Sequence, residues 1–491
     1  MTLKEIRPEL AELVAGGDAA GLPVAVLGAG PVGLAAAAHL LERGLEFVVL
    51  EASDSVGANL LDYGHVRLFS PWRYNVDKAM ARQLQAAGWI EPDPDELPLA
   101  REIVVEVLQP YAALPEVVSR LRLGHRVVSV SREGFDKVKT LGRDEAAFVL
   151  RVEHGDVVED IRARAVIDAT GTWTQPNPLG ANGLPAIGEE ELADRIAYRI
   201  PDVLNAERAR YAGKRVLVVG SGHSAANALL DLAVLAESNP DTRLVWAVRT
   251  KSLARAFGGG EADQLPARGE LGARLKALAD SGKLEFFSEF RVAALSRRAG
   301  AITVFGLGPD GARREIAGID EIVCATGQRP NLAMTSELRV KLDPWLECNE
   351  ALGPLIDPNV HSCGTVRPHG HRELSHPEAG YYTLGVKSYG RAPTFLMATG
   401  FEQARSVAAA LAGDIEAADR VELDLPETGV CGAPARSSDS SEGSGAAGAA
   451  CCGTRSGTEL PADAGSGCRV PSLVPPSSVD DDVKFRRASR R

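Results

Sequence analysis

The chain has 491 residues, 45% hydrophobic and 24% charged, with a formal net charge of −12. That length exceeds one hydrophobic core and that composition excludes wholesale disorder, so two packed domains are expected; the acidic balance excludes a nucleic-acid partner and leaves room only for a local basic pocket. Seven cysteines with no Cys-x-x-Cys exclude a disulfide framework and the usual redox dithiol, and fit a reducing compartment.

Residues 1–20 form a leader that carries Glu5, Glu9 and Glu12 where a signal peptide needs a basic region and an apolar core, so a cytoplasmic location is expected. The apolar stretch Leu34 to Leu41 is too short to span a bilayer, and no membrane partner is expected. Pro23 to Leu27 reads as a strand, Gly28-Ala29-Gly30-Pro31-Val32-Gly33 as a tight turn, Leu34 to Arg43 as a helix, and Phe47 to Leu50 as a second strand ending in Glu51. Gly28 permits the sharp turn, Gly30 lets the backbone approach a pyrophosphate, and Gly33 lets helix and strand pack closely. Pro31 suits the first helical turn, where its missing N–H costs little. Glu51 is placed to accept from both hydroxyls of an unphosphorylated ribose, which suits FAD or NAD and disfavours NADP.

The loop His65 to Trp72 mixes aromatic, hydroxyl and cationic groups, and Arg67 and Ser70 are its candidate reacting groups; Phe69 and Trp72 serve equally well as core. Extended segments at Arg126 to Val130 and Phe148 to Val152 lead to the apolar strand Ala165 to Asp168, which closes on Ala169-Thr170-Gly171. The same grammar then recurs. Arg215 to Val219 leads through Gly220-Ser221-Gly222-His223-Ser224-Ala225 into a helix over Ala226 to Leu235 and a strand over Leu244 to Arg249, and Ile322 to Cys324 closes on Ala325-Thr326-Gly327. Here the third glycine is Ala225, and Arg249 with Lys251 stands at the ribose position in place of an acid. Two cations there suit a 2′-phosphate. The alternative reading for both is a solvated surface pair.

Thr172 to Pro178 and Gln328 to Leu332 read as two crossings, giving an α/β fold of two Rossmann-like dinucleotide-binding domains: residues 21–180 and 333–413 for the first, and 181–332 inserted as the second. His361, Cys363, His369, His371 and His376 lie close in sequence, but their spacing matches no zinc pattern and no metal is expected. Ala398 to Leu411 reads as a last long helix, 414–435 as a linker, and 436–491 as a disordered Ser/Gly/Pro-rich tail. Cys431, Cys451, Cys452 and Cys468 lie in or near that tail. Their bland reading, incidental thiols, is favoured over a tethered dithiol or a site for a thiophilic ion.

Two dinucleotide sites of different ribose preference in one chain imply internal hydride exchange, with FAD at Gly28 and NADPH at Gly220. The order of these motifs, ending in Ala325-Thr326-Gly327-Gln328-Arg329-Pro330, resembles the flavin-containing, NADPH-dependent monooxygenases and their two-dinucleotide-domain relatives. More loosely it resembles the flavin monooxygenase-like proteins associated with arsenic resistance. The resemblance implies that Ala169-Thr170-Gly171 and Thr326-Gly327 mark interdomain crossings. It also implies that the Val127 backbone meets the adenine and that the final helix, begun at Ala398-Thr399-Gly400, faces the flavin. Two departures stand out. Ala186-Ile187-Gly188 to Ala197-Tyr198 lacks the family's histidine, and Gly385-Val386-Lys387 stands where relatives carry Gly-Asp. The expectation is an FAD-dependent oxidoreductase fed by NADPH, a monooxygenase using O₂ on a small soft nucleophile, with a homodimer left open. The alternatives are a reductase passing electrons to a disulfide, quinone or protein, and a non-enzymatic nucleotide sensor.

Overall fold

The computed structural model describes residues 19–423 apart from 259, 261, 262, 264, 299, 361–365 and 394. His361, Cys363, the four tail cysteines, most of the leader and the 436–491 tail lie outside the described residues.

Two five-stranded parallel sheets organise the described residues. The first runs Tyr381–Thr383, Ala165–Asp168, Val24–Leu27, Phe47–Leu50, Leu121–Arg122, with Val24–Leu27 central and in register with Phe47–Leu50 on one side and Ala165–Asp168 on the other. The second runs Leu284–Phe287, Arg243–Ala247, Arg215–Val219, Glu321–Cys324, Ile196–Ala197, again with the glycine-turn strand in the middle. The inner strands are apolar apart from a charged residue at one end of four of them (Asp168, Arg215, Arg243 and Glu321), because both faces are covered, as a parallel sheet requires.

Each sheet carries the same accessory. Between its βαβ unit and its return strand lies a three-stranded antiparallel meander, Arg126–Arg132, Phe148–His154 and Val157–Ala163 in the first case, and Arg291–Arg298, Ala301–Leu307 and Arg313–Ile319 in the second. Alternation along the strands divides the cores accordingly. Val24, Val26, Val49 and Ile167 pack toward the helices Pro31–Glu42 and Met397–Leu411, while Ala25, Leu27, Val48 and Leu50 pack toward the meander residues Phe148, Leu150 and Val152. In the second sheet Val216, Val218 and Trp246 face the helix His223–Ser238, and Leu217, Val219 and Val245 face Val292, Ile302 and Val304.

The helices that follow the two glycine turns begin earlier than the apolar pattern alone suggests, at Pro31 and His223, because the turn residues already have helical backbone. The strand read as Leu244 to Arg249 ends at Ala247, so Arg249 lies two residues past it. The two crossings are joined side by side. Pro176 and Gln328 form an antiparallel bridge, Asn177 N donates to Gly327 O at 2.9 Å, and Arg329 N donates to Gln175 O at 2.9 Å. Among the described residues no helix is long and apolar enough to cross a membrane.

Candidate functional site: two glycine turns

At the first turn Gly28 has φ +95°, and a Cβ there would sit 2.9 Å from Ala169 O. Both the backbone angle and the space demand glycine. A Cβ on Gly33 would lie 1.9 Å from Gly28 O, so the third glycine is fixed by helix–strand contact. Gly30 differs. It has extended backbone (φ −81°, ψ −175°), nothing within 4 Å of where a Cβ would be, and it caps the helix without a side-chain acceptor. The first-turn amides are therefore left for an outside acceptor, and a helix N-terminus favours an anionic one. This is the geometry a pyrophosphate fits.

Glu51 reaches back to the turn: its Oε2 accepts from Ala29 N at 2.7 Å and its Oε1 from Ser53 N at 2.8 Å. Each oxygen keeps a lone pair for a hydroxyl donor. His125 N donates to Glu51 O at 2.7 Å, which ties the strand bearing Val127 to the acid. Val32, Gly385 and Gly400 meet over the helix start, where Cβ atoms on the two glycines would lie 3.4 Å and 2.5 Å from Val32. Ala169 N donates to Leu27 O, Thr170 Oγ1 donates to Asp168 Oδ1 at 2.7 Å, and Gly171 has φ +72°. Asp168 is fully buried. Burial alone would raise its pKa, but Lys387 at 2.6 Å, with the Thr170 and Tyr381 hydroxyls, holds the carboxyl below its usual range.

The second turn repeats the design. Gly220 has φ +129°, and a Cβ there would be 2.1 Å from Ala325 O; Gly222 is extended (φ −88°, ψ −177°), open within 4 Å, and caps its helix without a side-chain acceptor. Ser221 and His223 are exposed, and Ser224 is half-buried. Gly220 O accepts from Trp246 Nε1 at 2.7 Å, which draws the carbonyl onto the indole; the buried Ala225 occupies the place where the first turn tolerates no methyl. Arg249 and Lys251 are exposed, and among the described residues neither has a carboxylate partner.

The remaining expected residues divide. Phe69 brings the 65–72 loop to the second turn, its ring 4.8 Å from that of His223. Arg67 is exposed and donates to Leu97 O. Ser70 is buried, with Oγ donating to Asn75 Oδ1 at 3.0 Å while Asn75 Nδ2 holds Ser70 O and Pro71 O, so its hydroxyl is turned into the loop. Thr326 Oγ1 donates to Asn177 O at 3.0 Å, and Gly327 has φ +91° beside the Asn177 amide; both belong to the paired crossings. His369 bonds Gln403, His371 pairs with Asp419, and the Lys341 amide donates to His376 Nδ1. Among the described residues no group of three or more His, Cys, Asp or Glu is placed to hold a metal. Sequence reading missed the Asp168–Lys387 pair, whose one local signal is a carboxylate ending an otherwise apolar strand.

The model of the pyridine nucleotide-disulphide oxidoreductase family matches residues 25–350, both turns included. The chain belongs to this family. The family is one of pyridine-nucleotide oxidoreductases. It is 30% identical over 212 residues to an indole-3-pyruvate monooxygenase of Oryza sativa subsp. japonica, a match covering 42% of this chain and 44% of that protein. It is 31% identical over 214 residues to a ferredoxin–NADP reductase of Gluconobacter oxydans, covering 43% of this chain and 50% of that protein. The chain thus spans half or less of the curated relatives it matches. Its fold is shared with a bacillithiol disulfide reductase from Bacillus cereus at 18% identity and TM-score 0.56, covering 80% of this chain and 99% of that one.

Proposed function

We propose that the first turn holds FAD, that the second holds NADPH, and that this family member is a monooxygenase acting on a small soft nucleophile with O₂. The observation that carries the cofactor assignment is the pairing of two open, uncapped helix starts with opposite charge at the ribose position: a half-buried carboxylate at one and, at the other, two exposed cations with no carboxylate partner among the described residues. In this reading Gly28, Gly30, Pro31, Val32 and Gly33 surround the FAD phosphates, Glu51 takes the ribose hydroxyls, and Val127 lies along the adenine. Ala169, Thr170, Gly171 and Gly400 close on the remainder. Gly220, Ser221, Gly222, His223 and Ser224 surround the NADPH phosphates, with Arg249 and Lys251 on the 2′-phosphate and Thr326 and Gly327 shaping the floor. Arg67 and Ser70 serve by shaping the loop that delivers Phe69 to His223. Bound FAD supplies two-electron acceptance from nicotinamide and one- or two-electron donation onward.

Oxygenation is favoured over disulfide reduction by the thiols. Cys324 and Cys348, the free cysteines among the described residues, are buried, and burial pushes both thiols up to about 12, so neither offers a thiolate at neutral pH. The monooxygenase name of the rice relative points the same way.

Anaerobic titration of the purified, flavin-loaded protein tests the cofactor assignment. NADPH should bleach the flavin at lower concentration than NADH, and Arg249→Ala should weaken NADPH at least about tenfold with little effect on NADH. Equal effects on both would remove the 2′-phosphate assignment. Aerobic turnover under ¹⁸O₂ tests the reaction, since label absent from every product and recovered only as peroxide would reduce the protein to an oxidase or reductase.

A further inference from the structure

Behind the first turn lies a buried charge pair that gripping a nucleotide does not require. Asp168 Oδ2 accepts from Lys387 Nζ at 2.6 Å and from the Tyr381 hydroxyl at 2.8 Å, and Oδ1 accepts from Thr170 Oγ1. Lys387, only 2% exposed, gives a second bond to Thr170 Oγ1 at 3.0 Å and otherwise meets Met334 Sδ at 3.5 Å. The segment delivering it wraps the turn: Gly385 lies against Val32, and Val386 Cγ1 is 3.7 Å from where a Cβ on Gly171 would be. Thr170, which receives the ammonium, has its Cα 3.3 Å from where Gly28 would carry a Cβ. Both charges therefore stand in the wall of the first site.

Stability is a weak reason for such a pair, since desolvating two ions offsets much of their attraction and apolar replacements are often no worse. Direct chemistry is also a weak reason. The cavity touching Lys387, about 10 Å³ and shared with Tyr381, Thr383 and Asn349, has room for one water and none for a substrate. What remains is the field, which reaches far in a low-dielectric interior.

We propose that Asp168 and Lys387 are a fixed electrostatic device that sets how much more tightly the first site holds reduced than oxidised FAD, and with it the reduction potential of the bound cofactor. The proposal rests on the assignment of FAD to that turn. Hydride transfer adds one negative charge to the cofactor, so Lys387 favours the reduced form and Asp168 the oxidised one. Removing one charge at a time must then move the preference in opposite directions.

The test uses full-length Asp168→Asn, Lys387→Met and the double variant, measuring dissociation constants for oxidised FAD in air and reduced FAD anaerobically, and the midpoint potential by equilibration with redox dyes. Asp168→Asn should shift the ratio of the two constants toward reduced FAD by on the order of tenfold and raise the potential. Lys387→Met should shift both the other way, and the double variant should return near wild type. If Lys387→Met fails to fold because Asp168 is left buried and unpaired, Asp168→Asn against the double variant isolates the same lysine charge. Unchanged ratios in folded, flavin-binding variants, or shifts of one sign in both single variants, would overturn the proposal while leaving the FAD assignment intact. A folded wild type that takes up no FAD would overturn the assignment and the proposal together.

Discussion

Alanine at Gly33 and alanine at Gly30 probe one turn in opposite ways. At Gly33 the added Cβ would stand 1.9 Å from Gly28 O, so helix and strand must separate by roughly 1.5 Å to restore ordinary contact. Overpacking of that kind costs about 1–3 kcal/mol, and the protein should melt lower with or without ligand. At Gly30 the backbone (φ −81°) accepts alanine and the Cβ meets nothing within 4 Å. The loss there is confined to a poorer helix cap, under about 1 kcal/mol. Yet that open volume is where a pyrophosphate has to approach the helix amides, and a methyl group there should weaken FAD at least about tenfold, or about 1.4 kcal/mol. Melting curves of the apoprotein and fluorescence titration with FAD separate the two effects. Gly30→Ala protein that binds FAD like wild type would refute the idea that the open space belongs to the cofactor.

Three further outcomes follow from the same geometry. Burial lowers the His376 pKa to about 4, against an ordinary value of 6.5, so the unfolded chain binds a proton the folded one refuses between those limits. That residue should withdraw about 3 kcal/mol of stability as pH falls from 6.5 to 4, and His376→Gln should remove that part of the slope in denaturant titrations across the window. Asp231 acts in reverse. Burial raises it to about 6, so the folded state takes its proton first, and Asp231→Asn should steepen the loss of stability between pH 6 and 4. Iodoacetamide at pH 8 should leave Cys324 and Cys348 of the native protein unmodified by mass spectrometry, and rapid native labelling of Cys324 would contradict its burial.

The turns were legible because their glycines answer to local constraints: a positive φ at Gly28 and Gly220, and at Gly33 a backbone contact within its own βαβ unit. The apolar strands were legible for a similar reason, being covered on both faces. The third strand of the first meander was not, since Val157–Ala163 has its first three residues in solvent and carries Glu159, Asp160 and Arg162 among its seven. Nothing local marks such a segment as extended. The partnership of Asp168 with Lys387 joins residues 219 apart, and the contact of Phe69 with His223 joins a loop of one unit to the turn of the other. Those positions are set by packing between elements, on which periodicity is silent. Ser70 shows the converse: a hydroxyl in a promising loop is claimed by Asn75, five residues on.

The indole of Trp246 ends up in an unusual post. It is fully buried, bonded through Nε1 to the carbonyl of the glycine that opens the second turn, and 5.0 Å from the ring of Phe286. An indole whose N–H is bonded to a turn carbonyl changes its emission when that carbonyl's dipole is perturbed. On the proposed NADPH assignment the protein contains its own optical gauge at the second turn, and with just five tryptophans in the chain, replacing the other four would leave a single fluorophore to report nucleotide arrival without any attached dye.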